Sequence, residues 1–235
     1  MRNVSTSYLT IDSTTMVNAI KETLTARGID HTIRRSRGAG TKEVYDIRLH
    51  LHTQYALGND NVTPRIIIKN SYQGESACIV TGGFIRWVCS NGMVFGSDWF
   101  ASRIVHRVGQ TAESKLKQLQ YDLVAVADYI AEELPAQIDE LVASELTIDQ
   151  MLDIAGNLNL TNSHKEWLIA RIVNQDARRY ADQANNLWTL WNLANEAIGR
   201  NYRSEVRHFE RNVSLIDDIL FLYDQQYSQF AREVA

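Results

Sequence analysis

Between residues 44 and 53 apolar and polar side chains alternate without a break, Tyr45, Ile47, Leu49 and Leu51 against Asp46, Arg48, His50 and His52. A period of two is the mark of a strand with one face in the core and the other in water. Around it the same pattern extends to neighbours. A strand is predicted over 31–37, a turn at Gly38-Ala39-Gly40, and further strands over 65–72 and 76–89. The stretch 55–63, with Gly58-Asn59-Asp60-Asn61, reads as a loop that Pro64 closes. Gly82-Gly83 interrupts the last long strand and marks a bulge or a close backbone approach. Ahead of the sheet, Met16, Ile20 and Leu24 recur every four residues between a cap at Asp12 or Ser13 and a stop at Gly28, which predicts a helix over 13–27.

After Gln110 the period lengthens. Leu116, Leu119, Leu123, Val126, Ile130 and Leu134 step by three and four, giving one long amphipathic helix that Pro135 ends or kinks. Ile138, Leu141, Val142 and Leu146 continue as a second helix. Thr147-x-x-Gln150 and Ser163-x-x-Glu166 have the form of capping boxes, with Gly156 a stop between them. Helices are then predicted over 177–198 and 204–213, and a last one from a cap at Ser214 to about 233. The expected fold class is α+β. An antiparallel sheet of four or five strands with a preceding helix fills the N-terminal half, and the C-terminal half is all helical. The expected organisation is a flexible arm over 1–12, a sheet-bearing region over 13–110 and a helical region over 111–235, joined as one continuous domain.

Residues 84–96 read Phe-Ile-Arg-Trp-Val-Cys-Ser-Asn-Gly-Met-Val-Phe-Gly, two β-prone runs around an Asn-Gly pair. Asn91-Gly92 suits a type I′ turn, so 85–89 and 93–95 are predicted to pair as a hairpin. The segment Arg86-Trp87-Val88-Cys89-Ser90-Asn91-Gly92 resembles the hallmark strand of a family of phage and plasmid proteins known only as a domain of unknown function. Residues 187–198, with Trp188, Trp191 and Asn195-Glu196-Ala197, are similar to that family's late helix. The resemblance spans roughly residues 30–200 and implies a phage or plasmid origin, hence a bacterial host's cytoplasm, but no activity.

Apolar residues make up 45% of the 235, ample for a core, and no run of some 18 apolar residues predicts a membrane span. The first six residues, Met-Arg-Asn-Val-Ser-Thr, show no apolar signal core. Cys78 and Cys89 are too few for a disulfide framework and are expected reduced in the core. The net charge of −4 is unevenly spread: residues 1–118 carry fifteen Lys and Arg against nine Asp and Glu, and residues 119–235 nine against nineteen. Residues 118–160 contain nine acids and no Lys or Arg. Such asymmetry points to a polyanion on the basic side, or to halves that attract each other.

If Tyr45, Ile47 and Leu49 face the core, Arg48, His50 and His52 line the opposite face. Neighbouring strands are then expected to add Lys69 or Arg65, Arg86, and one of Arg35 and Arg37. With Tyr72, Trp87 and Trp99 nearby in sequence, cations for phosphates and rings for bases make a single-strand binding surface. An ordinary solvated sheet face explains the same polar residues. Arg200, Arg203, Arg207 and Arg211 step along one helical face beside His208, a second phosphate candidate through Arg203 and Arg207 that the acidic segment could equally neutralise. His50-x-His52 with Cys78, Asp46 or His31 could form an open zinc site, yet the spacing matches no ligand pattern. Cys89 with His106 is a weak thiol nucleophile pair, a small buried thiol being the commoner finding. Phosphate-loop, dinucleotide, nucleophile-elbow and zincin signatures are absent.

The reading is therefore a protein without catalytic residues, cofactor or metal that binds single-stranded DNA, an annealing, replication or recombination accessory. The order helix, strands, helices is loosely similar to that of phage single-strand annealing proteins. The alternative is an effector that binds and inhibits or redirects a host protein complex through its acidic helical half. The apolar helix over 113–134 could serve its own core or close a homo-oligomer.

Overall fold

The computed structural model describes residues 11–37, 42–50, 55–57, 60–71, 78–86, 92–93, 102–104, 111–179, 182–199 and 215–228. The first helix, α1 (Ser13–Ala26), starts where the sequence places it. The Asp12 carboxylate accepts from the amides of Thr14 and Thr15 at 2.9 and 3.0 Å. It ends at Gly28, whose φ of 69° is the left-handed value that favours glycine. Ile11 and Asp12, assigned by sequence to the arm, are instead tied down. Ile11 is buried, and its carbonyl accepts from Asn70 Nδ2 at 3.0 Å.

Seven antiparallel strands follow among the described residues: β1 (His31–Arg37), β2 (Lys42–Leu49), β3 (Tyr55–Leu57), β4 (Asp60–Ser71), β5 (Cys78–Arg86), β6 (Gly92–Met93) and β7 (Ser102–Ile104). Their order is β1-β2-β4-β5-β6, with β3 beside the start of β4 and β7 beside the start of β5. The expected loop at 55–63 is thus partly a hairpin, with Tyr55 opposite Val62 and Leu57 opposite Asp60. Gly82 and Gly83 form no bulge, since the register of β5 on β4 runs unbroken from Val62↔Arg86 to Lys69↔Ile79.

Gly92 does not occupy the turn that the Asn91-Gly92 dipeptide predicts. Ile85 pairs with Gly92 and Phe84 with Met93, whereas a two-residue turn would set Ser90 opposite Met93. Gly92 stands in a strand. Register here follows the pairing of the whole sheet rather than the local turn preference.

The helices are α2 (Ala112–Glu132), α3 (Leu134–Ala143), α4 (Ile148–Asn157), α5 (Asn162–Val173), α6 (Leu187–Gly199) and α7 (Leu215–Tyr223). Pro135 sits in the first turn of α3, where its missing N–H costs nothing. Thr147 and Gln150 complete the predicted capping box of α4. The cap of α5 is Thr161, which accepts from the His164 amide, and not Ser163.

The expected helix over 177–198 begins only at Leu187. Its first part is drawn out of helix by long-range partners: Asn185 O accepts from the Leu146 amide at 2.9 Å, and Asn186 Nδ2 donates to Val142 O at 3.0 Å. The predicted helix over 204–213 lies outside the described residues. The last helix begins as expected after Ser214, and a π-helical turn over Asp224–Ser228 follows it.

α2 packs on β4, β5 and β7 and against α1, and Ser13 at the start of α1 bonds Glu43 of β2, so the first helix of the helical half belongs physically to the sheet layer. α6 is buried almost all round and packs against α3, α4, α5 and α7. Trp188 and Trp191, expected in the core, meet there edge to face with ring centres 5.6 Å apart. Buried apolar residues from Ile11 to Ile219 form one continuous cluster. No helix among the described residues is long and apolar enough to cross a membrane.

Candidate nucleic-acid interface

The register decides which cations share a face. Thr32, Arg48, Arg65 and Gly83 stand in one cross-strand row, Arg34, Asp46, Ile67 and Thr81 in the next, and Ser36, Val44, Lys69 and Ile79 in a third. This is the face away from α1 and α2; it places Arg34, Arg48, Arg65 and Lys69 on one side of the sheet, with Asp46 nearest Arg48 and Arg65. Asp46 Oδ2 lies 3.9 Å from Arg48 Nε, and Asp46 Oδ1 lies 3.7 Å from Arg65 Nη1. Both distances exceed hydrogen-bond length, so Asp46 tempers the two charges without clamping either.

The face is not evenly solvated, as the alternation of β2 alone suggested. Val44, Ile67, Lys69, Ser71 and Thr81 are buried, Lys69 to 6% exposure and Arg65 to 8%. The triplet Ile66-Ile67-Ile68 carries the physical reason: a strand apolar at consecutive positions buries both faces. What stays accessible is the β1–β2 end, where Thr32, Arg34 and His50 are exposed and the Arg48 side chain keeps 33% of its surface. There the Thr32 hydroxyl and His50 Nε2 lie 2.8 Å apart, and the His50 amide donates to Asp30 O at 2.8 Å.

Arg35, expected on this face, falls on the other, opposite Tyr45 on the side of α1. By backbone register Arg37 pairs with Glu43 and Arg86 with Val62, out of step with the row of Arg48 and Arg65. Strand period two makes the assignment. Ile33 belongs to the core side, so Arg34, which the alternation of β2 does not single out, shares the face of Arg48. His52, Arg203 and Arg207 lie outside the described residues, as do Cys89, His106, Tyr72, Trp87 and Trp99.

Arg35 instead serves a buried carboxylate. Glu43 is 1% exposed and accepts from Ser13 Oγ at 2.6 Å, from Tyr45 OH at 2.5 Å and from Arg35. Burial pushes the Glu43 carboxyl up, but the three donors together hold it below its ordinary value. Burial first, and then the Glu43 carboxylate, push the Tyr45 phenol far up. The cluster ties the start of α1 to β1 and β2.

Of the third zinc ligands weighed for His50 and His52, Cys78 lies on the wrong face, and His52 itself is outside the described residues. Cys78 has the parity of Val80 and Gly82, beneath α2, while His50 is exposed at the far side of β2. Burial, and then the Asp122 carboxylate, push the Cys78 thiol up to about 12. Among the described residues no three His, Cys, Asp or Glu side chains converge on a metal position.

On the helical half, Glu132, Glu133, Asp139, Glu140, Glu145 and Asp149 are all exposed, and none has an ion-pair partner among the described residues. Asp128 is different, since Arg27 clamps it with two hydrogen bonds of 3.0 and 3.1 Å between α1 and α2.

The chain is 25% identical over 196 residues to the UPF0380 protein YafZ of Escherichia coli (strain K12), which covers 77% of this chain and 68% of that relative. It is 24% identical over 194 residues to the UPF0380 protein YfjQ of the same strain, covering 73% and 68%. No solved structure matches it. The family model for the domain of unknown function DUF932 matches residues 1–220, nearly the whole chain including the sheet and all but the last turns, and the protein therefore belongs to that family.

Proposed function

We propose that this protein binds single-stranded nucleic acid at the β1–β2 end of its basic sheet face, without catalysing a reaction on it. It would act as an annealing, replication or recombination accessory of a phage or plasmid, an origin that rests on the resemblance carried by residues 86–92. The observation that carries the reading is the shared face of Arg34 and Arg48 on two paired strands, beside exposed Thr32 and His50. Adjacent strands lie about 4.8 Å apart, so two guanidinium groups can meet successive phosphates of one strand while hydroxyl and imidazole add polar contacts. Lys69 and Arg65 supply field from beneath rather than contacts.

The test is binding of a fluorescent oligonucleotide to the wild type and to Arg34→Ala/Arg48→Ala across a salt series. The double variant should bind all sequences more weakly, and the slope of log affinity against log salt should flatten by about 0.7 for each phosphate that is no longer neutralised. A wild type that binds no oligonucleotide at low salt ends this reading.

A second reading has its own observation in the six exposed carboxylates of α2, α3, α4 and their connections. They suit a protein that docks on a basic surface of a host complex. Purification from cells in which the protein is made, with and without nuclease, separates the two by whether nucleic acid or a host protein travels with it.

A further inference from the structure

We propose that a recess between α5, the turn that follows it and α6 binds the phosphate group of a phosphate monoester. The recess measures about 170 Å3 and is lined by Arg171, Ala177, Arg178, Arg179, Leu193 and Glu196. Drug-sized ligands occupy pockets of about 300–1,000 Å3, so this one suits a charged group rather than a whole cofactor. Three arginines from two short stretches of chain converge on it, and each is held in a different way.

Arg178 is the fixed wall. It is 6% exposed, and its Nε donates to Arg171 O at 2.9 Å, one Nη to Asn185 Oδ1 at 2.7 Å and the other to Ile172 O at 2.5 Å. Two of these bonds take up late carbonyls of α5, and all three lock the guanidinium in place beside the recess, where the carboxylate of buried Asp182 offsets part of its charge.

Arg171 is the open one. Its guanidinium carbon lies 5.0 Å from the centre of the Trp167 ring, one turn earlier on α5, and the group has no hydrogen-bond or ion-pair partner among the described residues. Stacking on the ring fixes the plane of the fork and leaves its N–H donors available.

Arg179 is the guarded one, donating to Glu196 Oε1 at 2.9 Å. Glu196 is the one acid in the lining, and it occupies the place an incoming anion would take on Arg179. A guanidinium fork matches phosphate oxygens in pairs, and a group with three acceptor oxygens and up to two charges can engage several forks at once. A singly charged, two-oxygen carboxylate brings fewer acceptors and less charge, and it competes with Glu196 on equal terms. This site lies on the helical half and is independent of the sheet strip.

The experiment uses the full chain, inorganic phosphate as the probe, and chloride and acetate at matched ionic strength and pH 7.5 as controls. Phosphate should raise the melting temperature saturably, acetate should not, and titration calorimetry should give the affinity directly. Arg171→Gln should weaken phosphate binding by at least about tenfold, the worth of one charge-assisted hydrogen bond, with its melting temperature in chloride unchanged. Should that variant melt early, Arg171→Lys, which keeps the charge and removes the fork, takes its place and should bind more weakly than wild type. Glu196→Gln should bind phosphate more tightly, a gain that a purely structural ion pair would not produce. Equal effects of acetate and phosphate, or an Arg171 variant that binds as tightly as wild type, would overturn the proposal.

Discussion

Gly82 of β5 lies directly beneath Val126 of α2: a Cβ on this glycine would stand 3.1 Å from Val126 Cγ1 and 3.3 Å from Ile130 Cγ1. The glycine lets α2 settle on the sheet, and that contact joins the two halves of the chain.

Gly82→Ala should accordingly destabilise the protein, by the roughly 1–3 kcal/mol that one inserted methyl costs in a packed core. Gly82→Val should cost more. Urea unfolding measures both, and Val126→Ala combined with Gly82→Ala should recover part of the stability, because the added and removed methyl groups share one space.

Glu43 makes stability depend on acid. Its folded-state pKa is lowered, so the stabilisation is complete above the ordinary value of 4.5 and drains away as pH falls through the lower folded value. Glu43→Gln should be less stable than wild type at pH 7, by about 2 kcal/mol for hydrogen bonds to a charged group. Below pH 4.5 the two curves should converge. Parallel curves down to about pH 2 would place the acid sensitivity elsewhere.

Lys69 and Arg48 separate stability from binding. Lys69 is 6% exposed, so Lys69→Ala should lower the melting temperature and reduce oligonucleotide affinity per folded molecule much less than Arg48→Ala does. Arg48 is partly exposed, and Arg48→Ala should shift stability by less than about 0.5 kcal/mol and reduce affinity. Circular dichroism melts and fluorescence anisotropy on the same samples give both quantities. The reverse pattern would move the interface toward β4.

Cys78 should be chemically silent in the folded protein. Its thiol is fully buried and pushed up to about 12, so almost no thiolate exists at pH 8 and a reagent cannot reach it. Iodoacetamide should label it in urea and not in buffer, as read by peptide mass spectrometry. Labelling in buffer would show that β5 opens from beneath α2 well below the global unfolding barrier.

The sequence by itself determined the features whose physics is local. The Asp12 cap, the spacing of Met16, Ile20 and Leu24 and the stop at Gly28 each act within one or two turns, so α1 was legible to within a residue. The same holds for the Thr147-Gln150 box and for the alternation of Tyr45, Ile47 and Leu49. The tertiary structure decided what depends on partners far along the chain. Asn91-Gly92 has a strong turn preference, yet the sheet pairs Gly92 with Ile85. Residues before Leu187 carry helical spacing, yet hydrogen bonds with the Val142 carbonyl and the Leu146 amide hold Asn186 and Asn185 in extended chain. Arg34 and Arg35 are neighbours with the same chemistry, and only the pairing of β1 with β2 sends one toward Asp46 and the other toward buried Glu43. A local preference is worth about 1 kcal/mol or less per residue, and the burial of a whole strand or helix face outweighs it.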